Sequence, residues 1–389
     1  MEYEQEFMEI FSRLPVKPIY KLFSSLSKSF SQIPFDNFFV KNQCEKTQLV
    51  DDKDFFIQPH TNSWLWCSDV LELHSCIRSS IDGLQVPYSS LEFIARIGRV
   101  LASSNGLVCC RNFTNDIKPL FICNPATQYW LEISHPYGFD SERNLRIVFE
   151  CNNVEKITDD FMLMSIMGAS DWGSDPLCKI YSPREKIWKV GGRIKIGAGR
   201  NICYETAFCQ NGVVYLLSDN GPYFGEDSPF FWPYIVAYDV ENSITKFLKL
   251  PENSRRGIHD LDCRLSIFKW GNSGNSMRSI CLVKLYYNVF SIWVRTDKEK
   301  SSWHQVFEMH VQDMGLEGSD LAVAGFTVLN GKVLLVATDS MVYQYNLSSE
   351  NSGKVEKICG HACGKDVFFH SFSSSLRSCG DGATKFAAC

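Results

Sequence analysis

No run in this 389-residue chain approaches the roughly 18 consecutive apolar residues of a membrane-spanning helix. Nor does it open with a basic segment leading into an apolar one, so no secretion signal is expected. Basic residues fall short of acidic ones, 39 against 44, and no basic stripe stands out, which disfavours nucleic-acid binding. Catalytic signatures are scarce as well. Gly192–Gly197 has the glycine spacing of a phosphate loop, but Ala198 and Gly199 stand where Lys and Ser or Thr are needed, so it reads as a strand with flanking glycines. No Gly-x-Ser-x-Gly nucleophile elbow occurs. His259-Asp260-Leu261-Asp262 reads as a polar loop, with acid–base work as the minor alternative. Cys359-Gly360-His361-Ala362-Cys363 offers three zinc ligands, yet no second cluster completes a tetrahedral set, and a loop is expected there. No catalytic residue, metal or cofactor is assigned.

What the chain does have is apolar bulk. Hydrophobic residues make up 45% and aromatics 13%, enough for a large core, and the length allows two or three domains. The 16 cysteines follow no disulfide framework. Cys109, Cys110, Cys123, Cys178 and Cys281 sit in strand-like runs, where a free Cys acts as a small hydrophobe. The chain is expected to be intracellular, cytoplasmic or nuclear, with no membrane partner.

The first segment, residues 1–41, has helical periodicity. Phe7, Ile10, Phe11 and Leu14 fall on one helical stripe. Pro15 ends that helix, and Pro18 suits the first turn of the next. Ile19, Leu22, Phe23, Leu26 and Phe30 continue the spacing until Pro34. Short helices with more apolar face than they can bury among themselves seek a surface, either a partner or the chain's own downstream domain.

Past residue 90 the pattern becomes short β-rich runs broken by turns. A strand, a polar turn and another strand recur, with turn onsets at Asn124, Ser182, Asp239, Thr296 and Asn346, spaced by 58, 57, 57 and 50 residues. Asn, Ser or Asp there can bond to its own backbone two residues on, and a Trp after the turn supplies a wedge between sheets. Asn105-Gly106, Asn211-Gly212 and Asn330-Gly331 each precede a hydrophobic strand and favour tight positive-φ turns. A multi-stranded unit with a period near 50 predicts a kelch-like β-propeller over residues 90–375, with an irregular β-sandwich as the alternative. Residues 42–89 are expected to hold a linker and the first strands, pairing with the chain near Val367–Phe372 to close the ring. Residues 376–389 read as a disordered tail.

Two resemblances lie on these residues. Glu9-Ile10-Phe11, Arg13-Leu14-Pro15-Val16-Lys17 and Ser27-Lys28-Ser29-Phe30 resemble the F-box, without its opening Leu-Pro. Leu101–Cys110 with Ile122-Cys123-Asn124-Pro125-Ala126-Thr127, and Tyr234–Val240 with Leu248–Pro251, are similar to plant F-box-associated domains. The resemblance implies a mainly β chain with a small α N-terminal domain, a three-helix F-box followed by the propeller. It implies a non-catalytic substrate receptor of an adaptor–cullin–F-box (SCF) ubiquitin ligase. The acidic adaptor subunit would dock on Ile10, Leu14, Pro15, Ile19, Leu22, Leu26 and Phe30. An unidentified protein substrate would bind the propeller. The aromatic loop Gly221–Pro233 suggests Phe230 and Trp232 as target-binding anchors, with Trp172 a similar, weaker case, although Phe231 and Trp232 more readily begin the next strand as core. Two other readings stay open: a propeller interaction protein with a degenerate F-box outside any ligase, and a propeller enzyme or sugar-binding module with converging titratable groups.

Overall fold

The computed structural model describes residues 38–40, 42–43, 54–59, 72–75, 99–111, 119–136, 145–151, 161–167, 175–197, 200–221, 224–271, 279–296, 302–316, 322–347 and 355–385. Six antiparallel sheets account for nearly all of them. The second sheet runs Arg99–Ser104, Leu107–Arg111, Leu120–Asn124 and Tyr129–Ile133. The third comprises Leu145–Glu150, Met162–Met167, Leu177–Ser182 and Ile187–Arg193. Ile202–Gln210, Val213–Ser218, Tyr234–Asp239 and Ile244–Lys249 form the fourth. The fifth holds Arg264–Lys269, Ser279–Tyr286, Val289–Thr296 and Trp303–His310, and the sixth Gly325–Leu329, Val333–Ala337, Met341–Asn346 and Val355–Gly360. In each, strand order in space follows chain order.

The first sheet is different. Asp54–Pro59 pairs with Glu72–Ser75 on one side and with the distant Val367–Phe372 on the other. Val367–Phe372 and the first strands of the other five sheets touch in a closed cycle. The molecule is therefore a β-propeller: five sheets of four or five strands and a three-stranded one that closes the ring. The expected pairing of the first strands with Val367–Phe372 is present, and the ring excludes the sandwich.

Sequence periodicity explains why the sheets stack this way. Val213–Ser218 is buried along its whole length, because both of its faces are covered. Val213, Tyr215 and Leu217 point into one buried cluster with the fifth sheet, while Val214 and Leu216 point into another with the third. Six such clusters fill the six gaps between neighbouring sheets. The cysteines serve here as expected: Cys109, Cys110, Cys123, Cys178 and Cys281 are fully buried, and the described cysteines are free. Burial raises the thiol pKa of Cys109, Cys110 and Cys281, which keeps them protonated and unreactive.

The predicted turns fall where the spacing puts them. All five turn onsets end the third strand of their sheet. The Asn124 Oδ1 accepts from the Ala126 amide at 2.9 Å, and the Asp239 Oδ1 accepts from the Asn242 amide at 3.0 Å. Asn105, Asn211 and Asn330 have φ of 44°, 51° and 54°, each followed by a positive-φ glycine, as hairpins matched to strand twist require. The Trp wedges also join sheets by hydrogen bonds. Trp188 Nε1 donates to the Ser134 carbonyl at 2.7 Å, and Trp303 Nε1 to the Lys249 carbonyl at 2.8 Å.

The chain after Leu376 departs from the expectation of a disordered tail. Leu376, Arg377 and Cys379 are buried, and Thr384–Lys385 adds a fifth strand to the outer edge of the second sheet. The Ser/Gly-rich composition hides the reason, which lies elsewhere in the chain. The Asn124 amide donates to the Ser375 and Arg377 carbonyls at 2.9 and 2.7 Å, so a residue of the second sheet holds the segment in place.

Inside the closing sheet, Phe55 packs on Phe369 and Phe56 on Phe372, at 5.6 and 5.0 Å between ring centres. Gln58 Nε2 donates to the Val100 carbonyl at 2.8 Å and lies 3.1 Å from His370 Nε2. Burial, with the Arg99 charge nearby, pushes the His370 pKa from 6.5 down to about 3. The unfolded chain thus takes up a proton near pH 6.5 that the folded ring refuses. Stability contributed by neutral His370 is complete above that pH and is lost as pH falls towards about 3. Lowering pH from about 7.5 to about 5 is expected to remove about 2 kcal/mol from this source. Urea midpoints at the two pH values should show it, with a flatter dependence for His370→Gln.

Candidate protein-binding face

Strand alternation sorts the connections to two ends of the ring. The Asn-Gly hairpins lie at one end. Residues 219–221 and 224–233, between the second and third strands of the fourth sheet, lie at the other. So do residues 250–263, which lead from the fourth sheet to the fifth, and the Tyr287-Asn288 turn. These three segments are neighbours and form one surface.

Each long loop is held from beneath by a buried cation. Arg200 is 1% exposed. Its Nη1 donates to the Asp219 and Gly221 carbonyls, both at 2.9 Å, and lies 3.5 Å from the Asp219 carboxylate. Its Nη2 donates to the Phe230 and Phe231 carbonyls at 2.5 and 2.6 Å. One planar fork therefore pins both ends of the aromatic loop, a task suited to guanidinium geometry. Lys284, also buried, donates to the Ser254 carbonyl at 2.9 Å and to that of Arg256. Desolvation lowers its pKa, the expected response of an ammonium taken from water. Gly257, at φ +64°, lies so close to Tyr286 that a Cβ there would sit 2.1 Å from its ring. Asn220 links the two loops, donating to the Ile258 and Cys263 carbonyls at 2.8 and 3.1 Å.

The proposed anchors behave differently from one another. Phe230 is half-buried and packs edge-on against Tyr234 and Phe247, so it supports the loop more than it presents a surface. Trp232 is half-buried, with His259 stacked at 5.3 Å and Arg255 at 5.0 Å from its ring. Its ring is already engaged by both neighbours, and Trp232 packs against the buried cluster between the fourth and fifth sheets. Trp172 lies outside the described residues, as do Ile10, Leu14, Pro15, Ile19, Leu22, Leu26 and Phe30.

Around this base stand residues that sequence reading passed over. Leu261 is wholly exposed and Tyr287 is 67% exposed. Tyr287 rests on Tyr286 at 4.4 Å, and Tyr286 bonds to the Asp260 carboxylate, which ties the two exposed side chains into one patch. Arg256 is exposed beside them. Tyr and Arg are residue types enriched in protein-binding hot spots, and Leu261 adds exposed apolar area beside them. Leu261 was legible only as part of a polar loop, because exposure leaves no periodic signal. His259 Nδ1 lies 2.7 Å from the Asn220 carbonyl, and its ring stacks on Trp232, which makes it a spacer between loops. At the other candidate cluster, His361 is held by backbone at both ring nitrogens, 3.0 Å from the Thr338 carbonyl and 3.2 Å from the Cys363 amide. Among the described residues no group of three His, Cys, Asp or Glu side chains is arranged to hold a metal. None of the described helices is long and apolar enough to cross a membrane.

A ring closed by its N-terminal strands, with family hallmarks at Asn105-Gly106 and Asn124, is the context for comparison with known proteins. The sequence model of the F-box associated beta propeller domain matches residues 55–372. The chain belongs to that family. The F-box associated propeller thus begins at the closing strand and ends with its partner. An F-box protein of Arabidopsis thaliana is 22% identical over 392 residues, covering 97% of both chains. Among solved structures, TolB from Acinetobacter baumannii aligns over 88% of this chain and 72% of its own, at 10% identity and a TM-score of 0.44. A Lactobacillus plantarum protein aligns over 82% of this chain and 99% of its own, at 10% identity and a TM-score of 0.38.

Removing the Arg200 fork leaves several loop carbonyls without their charged donor. Arg200→Met is expected to destabilise this propeller by about 3 kcal/mol, with Arg200→Lys restoring only part, since one ammonium cannot span both ends of the loop. Thermal denaturation measures the loss, and fluorescence of the nearby Trp232 reports the loosened loop.

Proposed function

We propose that this chain is the substrate-recognition subunit of an adaptor–cullin–F-box ubiquitin ligase. The observation that carries the reading is the order of parts: an F-box-like pattern over residues 9–30, then the family's propeller over 55–372, in a chain matched end to end by an F-box protein. The N-terminal pattern docks on the acidic adaptor through Ile10, Leu14, Pro15, Ile19, Leu22, Leu26 and Phe30. The propeller holds a protein target on the face built by residues 219–233, 250–263 and 287–288, with Leu261, Tyr287 and the exposed edge of Trp232 at its centre and Phe230 beneath. Trp172 is retained as a further contact.

The chain supplies no reacting group in this role. It raises the effective concentration of a target lysine near a ubiquitin thioester carried by another subunit, so its contribution is proximity and orientation. That chemistry tolerates a recognition face made of loops, provided the loops are rigid. Arg200 and Lys284 support that condition. Such a ligase works in the cytoplasm or nucleus. A second reading, an interaction protein whose F-box no longer engages the adaptor, is favoured by one feature: the opening Leu-Pro of the F-box is absent.

Adaptor binding by the purified full chain separates the two. The ligase reading expects binding that Leu14→Asp and Phe30→Asp each reduce at least about a hundredfold, since each places a charge on a face that must be buried, while circular dichroism stays unchanged. A folded wild-type chain that does not bind would leave the second reading standing. Binding unaffected by either substitution would mean that the docking face is wrongly assigned.

A further inference from the structure

The family match ends at residue 372, and residues 373–385 lie beyond it. Residues 373–385 leave the closing sheet and cross the second one as a strap. Ser375 Oγ donates to the Asn105 carbonyl at 2.8 Å. The strap lies so near Gly106 that a Cβ there would meet Ser375 Oγ at 2.0 Å, so both this approach and its φ of +84° call for glycine. Asn124 holds the Ser375 and Arg377 carbonyls. Cys379 is fully buried, 3.3 Å from the Tyr129 carbonyl, and Thr384–Lys385 completes the strap as an edge strand.

The strap has a second partner. Residues 38–40 and 42–43 are helical. Phe39 and Gln43 are fully buried and Val40 nearly so, while Phe38 is 60% exposed. A helical segment cannot bury such side chains against itself, so other parts of the chain cover them. Among the described contacts, one ties it to the strap: Gln43 Oε1 accepts from the Leu376 amide at 3.3 Å. A carbonyl oxygen withdrawn from water is costly unless bonded, so the Gln43 Oε1 bond to the Leu376 amide favours this seat over a sliding apolar contact.

We propose that the strap, residues 373–385, is the seat for residues 38–43, and so fixes how the segment before them is mounted on the propeller. Resting on the ligase reading for what is mounted, the consequence is that the distance between adaptor and target face is set by the strap. Asn124 acts as a positioning residue: it orders the strap, and the strap holds the helix.

Hydrogen exchange of the full-length protein tests this, using Asn124→Asp. That variant keeps the Oδ1 acceptor of the turn and removes both donors to the strap. Exchange in 373–385 and in 38–43 is expected to accelerate together, by about tenfold or more for the loss of two hydrogen bonds, with 234–239 and 279–286 unchanged. A strap that loosens while 38–43 keeps its wild-type protection would overturn the proposal. Should Asn124→Asp unfold the second sheet, seen as lost protection across 99–133, Gln43→Ala decides: faster exchange in 38–43 over an intact sheet supports the seat, and no change refutes it. Adaptor affinity measured on the same samples keeps the two ideas apart. A wild-type chain that fails to bind adaptor defeats the ligase reading and leaves the exchange result intact.

Discussion

The ring depends on one antiparallel pairing between chain segments 312 residues apart at Gln58 and His370. Each sheet of this propeller buries both faces against its neighbours, so none has a core of its own. Stability comes from the gaps between sheets, and one open gap exposes two faces and two strand edges. Pairing Asp54–Pro59 with Val367–Phe372 closes the last gap. Closing so long a loop costs only slightly more entropy than closing a shorter one, because the cost grows with the logarithm of length. The side chains at the seam suit the task. Phe55 faces the sixth sheet and Phe56 the second, so a single strand serves two interfaces through its period of two.

The strap extends the same logic past the seam. Closure brings residue 372 beside the second sheet, and the chain then fastens to Asn105, Asn124 and Tyr129 of that sheet. Asn124 is economical in this respect. Its oxygen shapes the turn, and its nitrogen holds the strap. The same side chain therefore links a local conformation to the packing of residues some 250 positions away, and through them to the helix at 38–43.

Features with a local cause were legible in the sequence. Asn-Gly turns, the evenly spaced turn onsets and fully apolar strands follow from backbone sterics and two-sided burial, and each appears where its residues predict it. The closing pair was legible because Phe55-Phe56-Ile57 and Val367–Phe372 are apolar runs left over at the two ends of the repeat. Features with a distant cause were not. The strap reads as Ser/Gly-rich tail, and it is ordered by contacts with Asn105, Asn124 and Tyr129 of a distant sheet. Arg200 carries no signal of its own in the sequence, yet its guanidinium holds carbonyls about 20 to 30 residues on. Trp232 reads as either a loop anchor or the core start of a strand, and the sequence gives no sign that Arg255 and His259 engage its ring from a different connection. The exposed Leu261 and Tyr287 carry no periodic signal at all, since packing within the chain sets no spacing for them.

Buried cations hold two loops in place, and on the proposed reading the strap seats the segment that binds the adaptor while these loops bind the target. The chain's two binding roles should then be separable. The most direct test is to compare proteins captured after in-cell cross-linking by wild-type, Phe30→Asp and Leu261→Asp chains. The account predicts a captured protein shared by wild type and Phe30→Asp, absent with Leu261→Asp, and more abundant in cells carrying Phe30→Asp because it is no longer ubiquitinated. Capture of the same proteins at the same levels by all three chains would contradict it.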